Sequence, residues 1–204
     1  MTFRYTSCFL ALCLAACERP PTASNDQIEQ AITVPPPTDT PAAREVPTAS
    51  SPSNEASAAA KMEAAPGQTV DGKLSFESTD QGVRVTGKLH AAPGPHGFHV
   101  HEIGDCSDIP GKSMGEHFSP DGHAHALPAE ADHRHLGDLG NVVMDANGTA
   151  QVDLVIVGAN LKEGDPHSIS GKAVVVHARE DTGKTSQPAG DSGDPIACGI
   201  IKSS

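Results

Sequence analysis

The sequence predicts an all-β domain, a Greek-key barrel or sandwich with two long functional loops, preceded by a disordered tether. Three observations predict it. Short runs alternating apolar and polar residues recur from position 70 to 178, as half-buried strands require. Turn-forming clusters separate these runs, and no stretch sustains a helical period. The first third is a different polymer: nine of the 17 prolines fall between Pro20 and Pro66, whereas all 11 histidines lie between His90 and His177.

The chain opens "MTFRYTSCFLALCLAAC", one early charge (Arg4) and then an apolar run too short to span a bilayer. Residues 1–16 read as a secretory signal. Leu14-Ala15-Ala16-Cys17 resembles a bacterial lipobox, in which Cys17 is acylated and becomes the mature N-terminus. Such a chain is anchored to a membrane without crossing it, at the periplasmic face of a bacterial cell envelope. Inner and outer membrane are both open. Residues 17–66 hold too few large apolar side chains to offset the entropy of ordering, and read as a lipidated, flexible linker.

Residues 67–204 are expected to form the folded domain, long enough for one core. They carry 19 acidic and 10 basic side chains, a net charge of −9. Nucleic acid needs a basic face and is excluded as a partner. After the signal and Cys17, two cysteines remain, Cys106 and Cys198. In an exported domain they pair most simply as one disulfide.

Six runs read as strands: 70–78, 82–90, 97–103, 141–146, 149–157 and 171–178. Asp145-Ala146-Asn147-Gly148 reads as a hairpin turn rather than a glycosylation site. Two connections exceed hairpin length, about 104–140 and about 180–196, and loops of that length inside a compact domain are usually functional. Five histidines sit in the first. In "GPHGFHVHE", His99 and His101 flank Val100, so alternation sends both imidazoles to one face. With His117, the pairs His123/His125 and His133/His135, and Asp138, the density points to a metal site. A histidine-rich scavenging loop without fixed geometry is the bland alternative.

"GFHVHEIGDC", "GEHFSPDGHAHALP", "HLGDLGN", "VVVHARED" and "ACGII" together resemble the copper/zinc superoxide dismutase family, over about residues 67–202. The resemblance implies copper on His99, His101, His117 and His177, and zinc on His117, His125, His135 and Asp138. His117 is then the bridging imidazolate and the catalytic proton carrier. Four imidazoles suit Cu(II); three nitrogens and a carboxylate suit closed tetrahedral zinc. His125 is preferred to His123 because His125-Ala126-Leu127-Pro128 matches the family's His-x-x-Pro step, and His135 to His133 because it directly precedes "LGD". Asp181 matches a carboxylate hydrogen-bonded to one histidine at each metal, and His96 a histidine that orients a ligand without binding metal. His90 and His167 are expected at the solvent surface.

The implied activity is dismutation of superoxide to oxygen and hydrogen peroxide. One position departs from the family: its channel arginine is matched by Pro195, after Asp194. Losing a charged donor to the anion costs about 1.5–3 kcal/mol, or about ten- to hundredfold in rate. A slowed enzyme is one reading; a non-enzymatic copper/zinc store or delivery lipoprotein is the other. Lys184 is a candidate substitute cation. Monomer and homodimer are both open.

Overall fold

A computed structural model of the chain describes residues 56–129, 133–184 and 191–204. The expected signal, Cys17 and the linker as far as residue 55 lie outside the described residues. The described part contains β1 (Ser57–Ala64), β2 (Asp71–Thr79), β3 (Gly82–His90), β4 (Gly94–His101), β5 (Asp138–Met144), β6 (Thr149–Val157), β7 (Ala173–His177), β8 (Pro195–Ile200) and β9 (Lys202–Ser203), and no helix. Pairing is antiparallel, in the order β5-β4-β7-β8-β1-β2-β3-β6, with β9 added to β1. The two edge strands, β5 and β6, are consecutive in sequence, so the sheet curls into a nearly closed barrel.

Closure depends on the Asp145 turn. Its Oδ1 accepts from Asn147 N–H (2.8 Å) and Thr149 N–H (2.9 Å), and Gly148 takes a φ of 72° that favours glycine. The turn is therefore as expected, but the hairpin is not. β5 pairs with β4 and β6 with β3, so the turn crosses the seam of the barrel.

The expected domain boundary at Gly67 is corrected. β1 lies upstream of it, pairs with β2 over Ser57–Met62 and with β8 at Glu63 and Ala64. Ala58, Ala60 and Met62 point into the core, an alternation hidden by residues of small side chain and poor β-propensity. In composition the strand looks like the tether before it.

Leu74 and Phe76 of β2, Val83, Val85 and Leu89 of β3, and Ile156 of β6 fill the barrel, with Phe98 and Val100 of β4 and Val174 and Val176 of β7. β4 and β7, like β8, are covered on both faces. Their inner residues meet the core. Their outer residues, His99, His101, Ala173, Val175 and His177, lie under the long connections. Beneath the first of these, Met114 packs with Ala173, Val175 and Cys198, and Cys106 and Ile109 close over them. The Cys106–Cys198 disulfide pins that loop to β8, with Cα atoms 5.7 Å apart.

Candidate metal centre

Strand alternation supplies the first three imidazoles. On the outer face His99 stands opposite Val175 and His101 opposite Ala173, so His177, two residues beyond Val175, joins them. The fourth comes from the loop. His117 forms a bridge with His101, and Phe118 N–H donates to Val100 O (2.8 Å). Val100 N–H donates to Gly137 O and Gly137 N–H to Phe118 O, both 2.8 Å. This stitching delivers His135 and Asp138 beside His117. Gly137 is required here, because a Cβ would collide with Val100 O.

Two donor groups result, each with all its ligating atoms within 4.8 Å of one another: His99, His101, His117 and His177; and His117, His125, His135 and Asp138. His117 belongs to both. Every member is buried except His135, which is partly so.

Hydrogen bonds decide which nitrogen each ring offers. His101 Nδ1–H donates to Gly115 O (2.9 Å) and His177 Nδ1–H to Gly193 O (2.7 Å). Carbonyl oxygens only accept, so the lone pairs sit on Nε2, and the two Nε2 atoms face each other 3.4 Å apart. His99 Nε2–H donates to Asp181 Oδ2 (2.8 Å), which leaves Nδ1 buried with no hydrogen-bond partner. His117 Nδ1 meets Asp138 Oδ1 at 2.7 Å while its Nε2 is buried and likewise unpartnered. Facing lone pairs and orphaned buried acceptors are costly unless a cation satisfies them, and four imidazole nitrogens suit copper.

The second group centres on Asp138. Its Oδ1 lies 2.7, 3.0 and 3.2 Å from Nδ1 of His117, His125 and His135, and Oδ2 accepts from Ala126 N–H. His125 Nδ1, though 3.0 Å away, is out of line for a hydrogen bond and has no other partner. Three nitrogens converging on one carboxylate fit tetrahedral zinc.

Burial is the main cause of the low basicity on the copper side. It lowers His99 from 6.5 to about 4 against the pull of Asp181, and His101 to about 3. His177 falls well below its ordinary value for the same reason. On the zinc side burial opposes charge, but the nearby carboxylates of Asp138 and Asp181 outweigh it and raise His125 to about 9. The carboxyls of Asp138 and Asp181 are likewise held well below the usual range by these histidines, despite burial.

Asp181 ties the groups together, with Oδ2 on His99 and Oδ1 on His125 Nε2–H (3.0 Å) and Gly183 N–H (2.8 Å). The sequence reading missed its brace. Asn141 accepts from Asp181 N–H (2.7 Å) and donates to Asp181 O (2.9 Å). His96 reaches no ligand ring: Nδ1 lies 2.7 Å from His177 O and Nε2 3.0 Å from Ala92 O, so it holds the backbone of His177. His123 and His133 fall outside both groups, their rings 5.2 Å apart. His90 and His167, expected at the surface, are half-buried; His90 bonds Thr149, and His167 Nε2–H bonds Asp121 at 3.1 Å.

A cavity of about 410 Å³ opens onto His101 and His177. Lys112, Arg179, Asp194 and Pro195 line it; Lys184 does not. Lys184 Nζ is instead 3.8 Å from Asp191. The Arg179 guanidinium lies on Gly193, where an added Cβ would stand 3.0 Å from Cζ, and donates to Asp191 O (3.2 Å).

Such a barrel, with two adjoining donor groups sharing one imidazole, defines a class of binuclear metalloprotein. Residues 70–201 match the family model described as copper/zinc superoxide dismutase (SODC). Over 139 residues the chain is 42% identical to superoxide dismutase [Cu-Zn] 2 of Brassica juncea, covering 65% of this chain and 89% of that one. A crystal structure of the clock protein EA4 is similar with a TM-score of 0.64 and 38% identity, over 72% of this chain and 94% of that one. The chain belongs to the copper/zinc superoxide dismutase family, and its two histidine groups could bind copper and zinc.

Proposed function

We propose that this protein is a superoxide dismutase, converting two superoxide anions and two protons to oxygen and hydrogen peroxide. The observation that carries the reading is the pair of donor groups sharing His117, with their unpartnered nitrogens aimed inward. Copper held by His99, His101, His117 and His177 would supply a one-electron couple, and zinc held by His117, His125, His135 and Asp138 would be structural. His117 Nε2 holds a proton in one half of the cycle and gives it up in the other. Asp138, on Nδ1 of the same ring, keeps that ring in place throughout. Asp181 and the carbonyls of Gly115 and Gly193 fix the remaining rings in the orientation that metal requires.

The substrate is a small anion, so positive charge at the mouth raises its capture. Pro195 supplies none, but Arg179 lines the same cavity as His101 and His177, and this supports a working site. Asp194 in that lining favours the second reading, a metal store or delivery protein. Superoxide decay followed by pulse radiolysis on the copper- and zinc-loaded chain separates the two. Turnover well above that of free aqueous copper is expected; turnover no better than free copper sinks the enzyme.

The proposal extends to place. Acylation at Cys17 would anchor the chain at the periplasmic face of a bacterial membrane, with the linker holding the barrel clear of the lipid. Detergent partitioning that disappears in Cys17→Ala tests it.

A further inference from the structure

We infer that a second histidine cluster, formed by His123, His133 and His167 with Asp121, is the loading port for the zinc-side group. The inference rests on the reading of that group as a zinc site. Three of its members are closed to solvent: the side chains of His117 and His125 are 1% exposed and that of Asp138 0%. His135 is 16% exposed. Metal therefore approaches past His135. His135 lines a cavity of about 210 Å³ whose other walls include Asp121, His123, Arg134 and His167.

These walls carry metal-binding chemistry that the dismutation reaction does not use. His123 Nδ1–H donates to Arg134 O at 3.2 Å, so its other nitrogen keeps a lone pair. The His133 ring stands 5.2 Å from it, centre to centre. His167 Nε2–H is 3.1 Å from Asp121, which leaves the lone pair on Nδ1. Imidazole and carboxylate are the donors divalent zinc takes. Yet among the described residues no third group brings three donor atoms within 4.8 Å. The port can offer an ion one or two ligands at a time, against four inside. It binds and releases, and the gradient in ligand number runs inward to Asp138. The sequence pattern fits this division: "HAH" and "HRH" each send one histidine to the interior group and leave the other outside it, His123 on the cavity wall and His133 beside His123.

The test is uptake kinetics on the metal-stripped full chain, with Co(II) as the coloured probe for the zinc-side group. Wild-type uptake should saturate with cobalt concentration, as pre-equilibrium binding at the port demands. The double variant His123→Gln/His133→Gln should take up cobalt about tenfold more slowly, the lower end of what concentrating an ion at a site mouth contributes. His167→Gln should slow it too. The final tetrahedral spectrum and its stoichiometry should be unchanged in all three, and His90→Gln should match wild type. Strictly linear wild-type kinetics, or unchanged rates in the double variant, overturn the port while leaving the metal centre standing. Failure of the wild type to develop a tetrahedral cobalt spectrum overturns both.

Discussion

Replacing Asp181 by asparagine should loosen metal binding without disturbing the barrel. The carboxylate accepts from His99 at 2.8 Å and from His125 at 3.0 Å, one histidine from each donor group. An amide keeps one accepting oxygen and turns the other into an NH₂ donor. Whichever way it lies, a donor then faces an imidazole N–H in a buried site. One charge-assisted bond is lost and one buried donor is left unpaired, at about 1–3 kcal/mol. If the ring escapes by shifting its hydrogen to Nδ1, it blocks the nitrogen meant for metal. Either route should weaken affinity about ten- to hundredfold. Competition against a chromophoric chelator measures copper and zinc affinities separately. The backbone of Asp181 stays held by Asn141, so the metal-free thermal midpoint serves as the control for folding. Affinities within twofold of wild type for both metals would refute the argument that Asp181 sets the two tautomers.

Arg179→Ser should lower the second-order rate with superoxide about tenfold at low ionic strength, with the difference collapsing in high salt. An equal rate at low salt removes Arg179 from the mouth. In the metal-free chain, His99 (about 4), His101 (about 3) and His177 stay neutral while the unfolded chain takes up protons from about 6.5 downward, so stability falls as pH drops. His125 works in the opposite sense: its contribution is full below 6.5 and is lost as pH rises to about 9. The thermal midpoint should therefore peak near pH 6.5 and fall more steeply on the acid side; a midpoint still rising at pH 8 contradicts this. Cys198→Ser should cost about 4–5 kcal/mol in a denaturant titration, from a loop of sequence separation 92. A loss under 1 kcal/mol would show that the reduced loop stays in place by packing alone.

Strand-borne parts of the site were legible in the sequence because strand direction is local. Once "GFHVHE" is a strand, His99 and His101 share a face and Val100 takes the other, whatever the rest of the chain does. β1 escaped notice for the same local reason, since Ala58, Ala60 and Met62 give a weak alternation beside an alanine-rich tether. Loop residues have no such period. Nothing local separates His123 from His125, or His133 from His135; the family motifs did.

What the sequence alone determined is the all-β class, the shared face of His99 and His101, and the cysteine pair. What only the tertiary structure decided is where the loop side chains end up. Backbone bonds among Val100, Phe118 and Gly137 draw His117, His135 and Asp138 together, while His123 stays at the outer cavity with the His133 ring beside it. The same is true of charge at the mouth. Pro195 reads as a lost cation, but Arg179, sixteen positions earlier in the chain, lines the cavity because Gly193 leaves its guanidinium room. Contacts between distant segments are set by how the barrel closes, and a linear pattern carries no record of that closure.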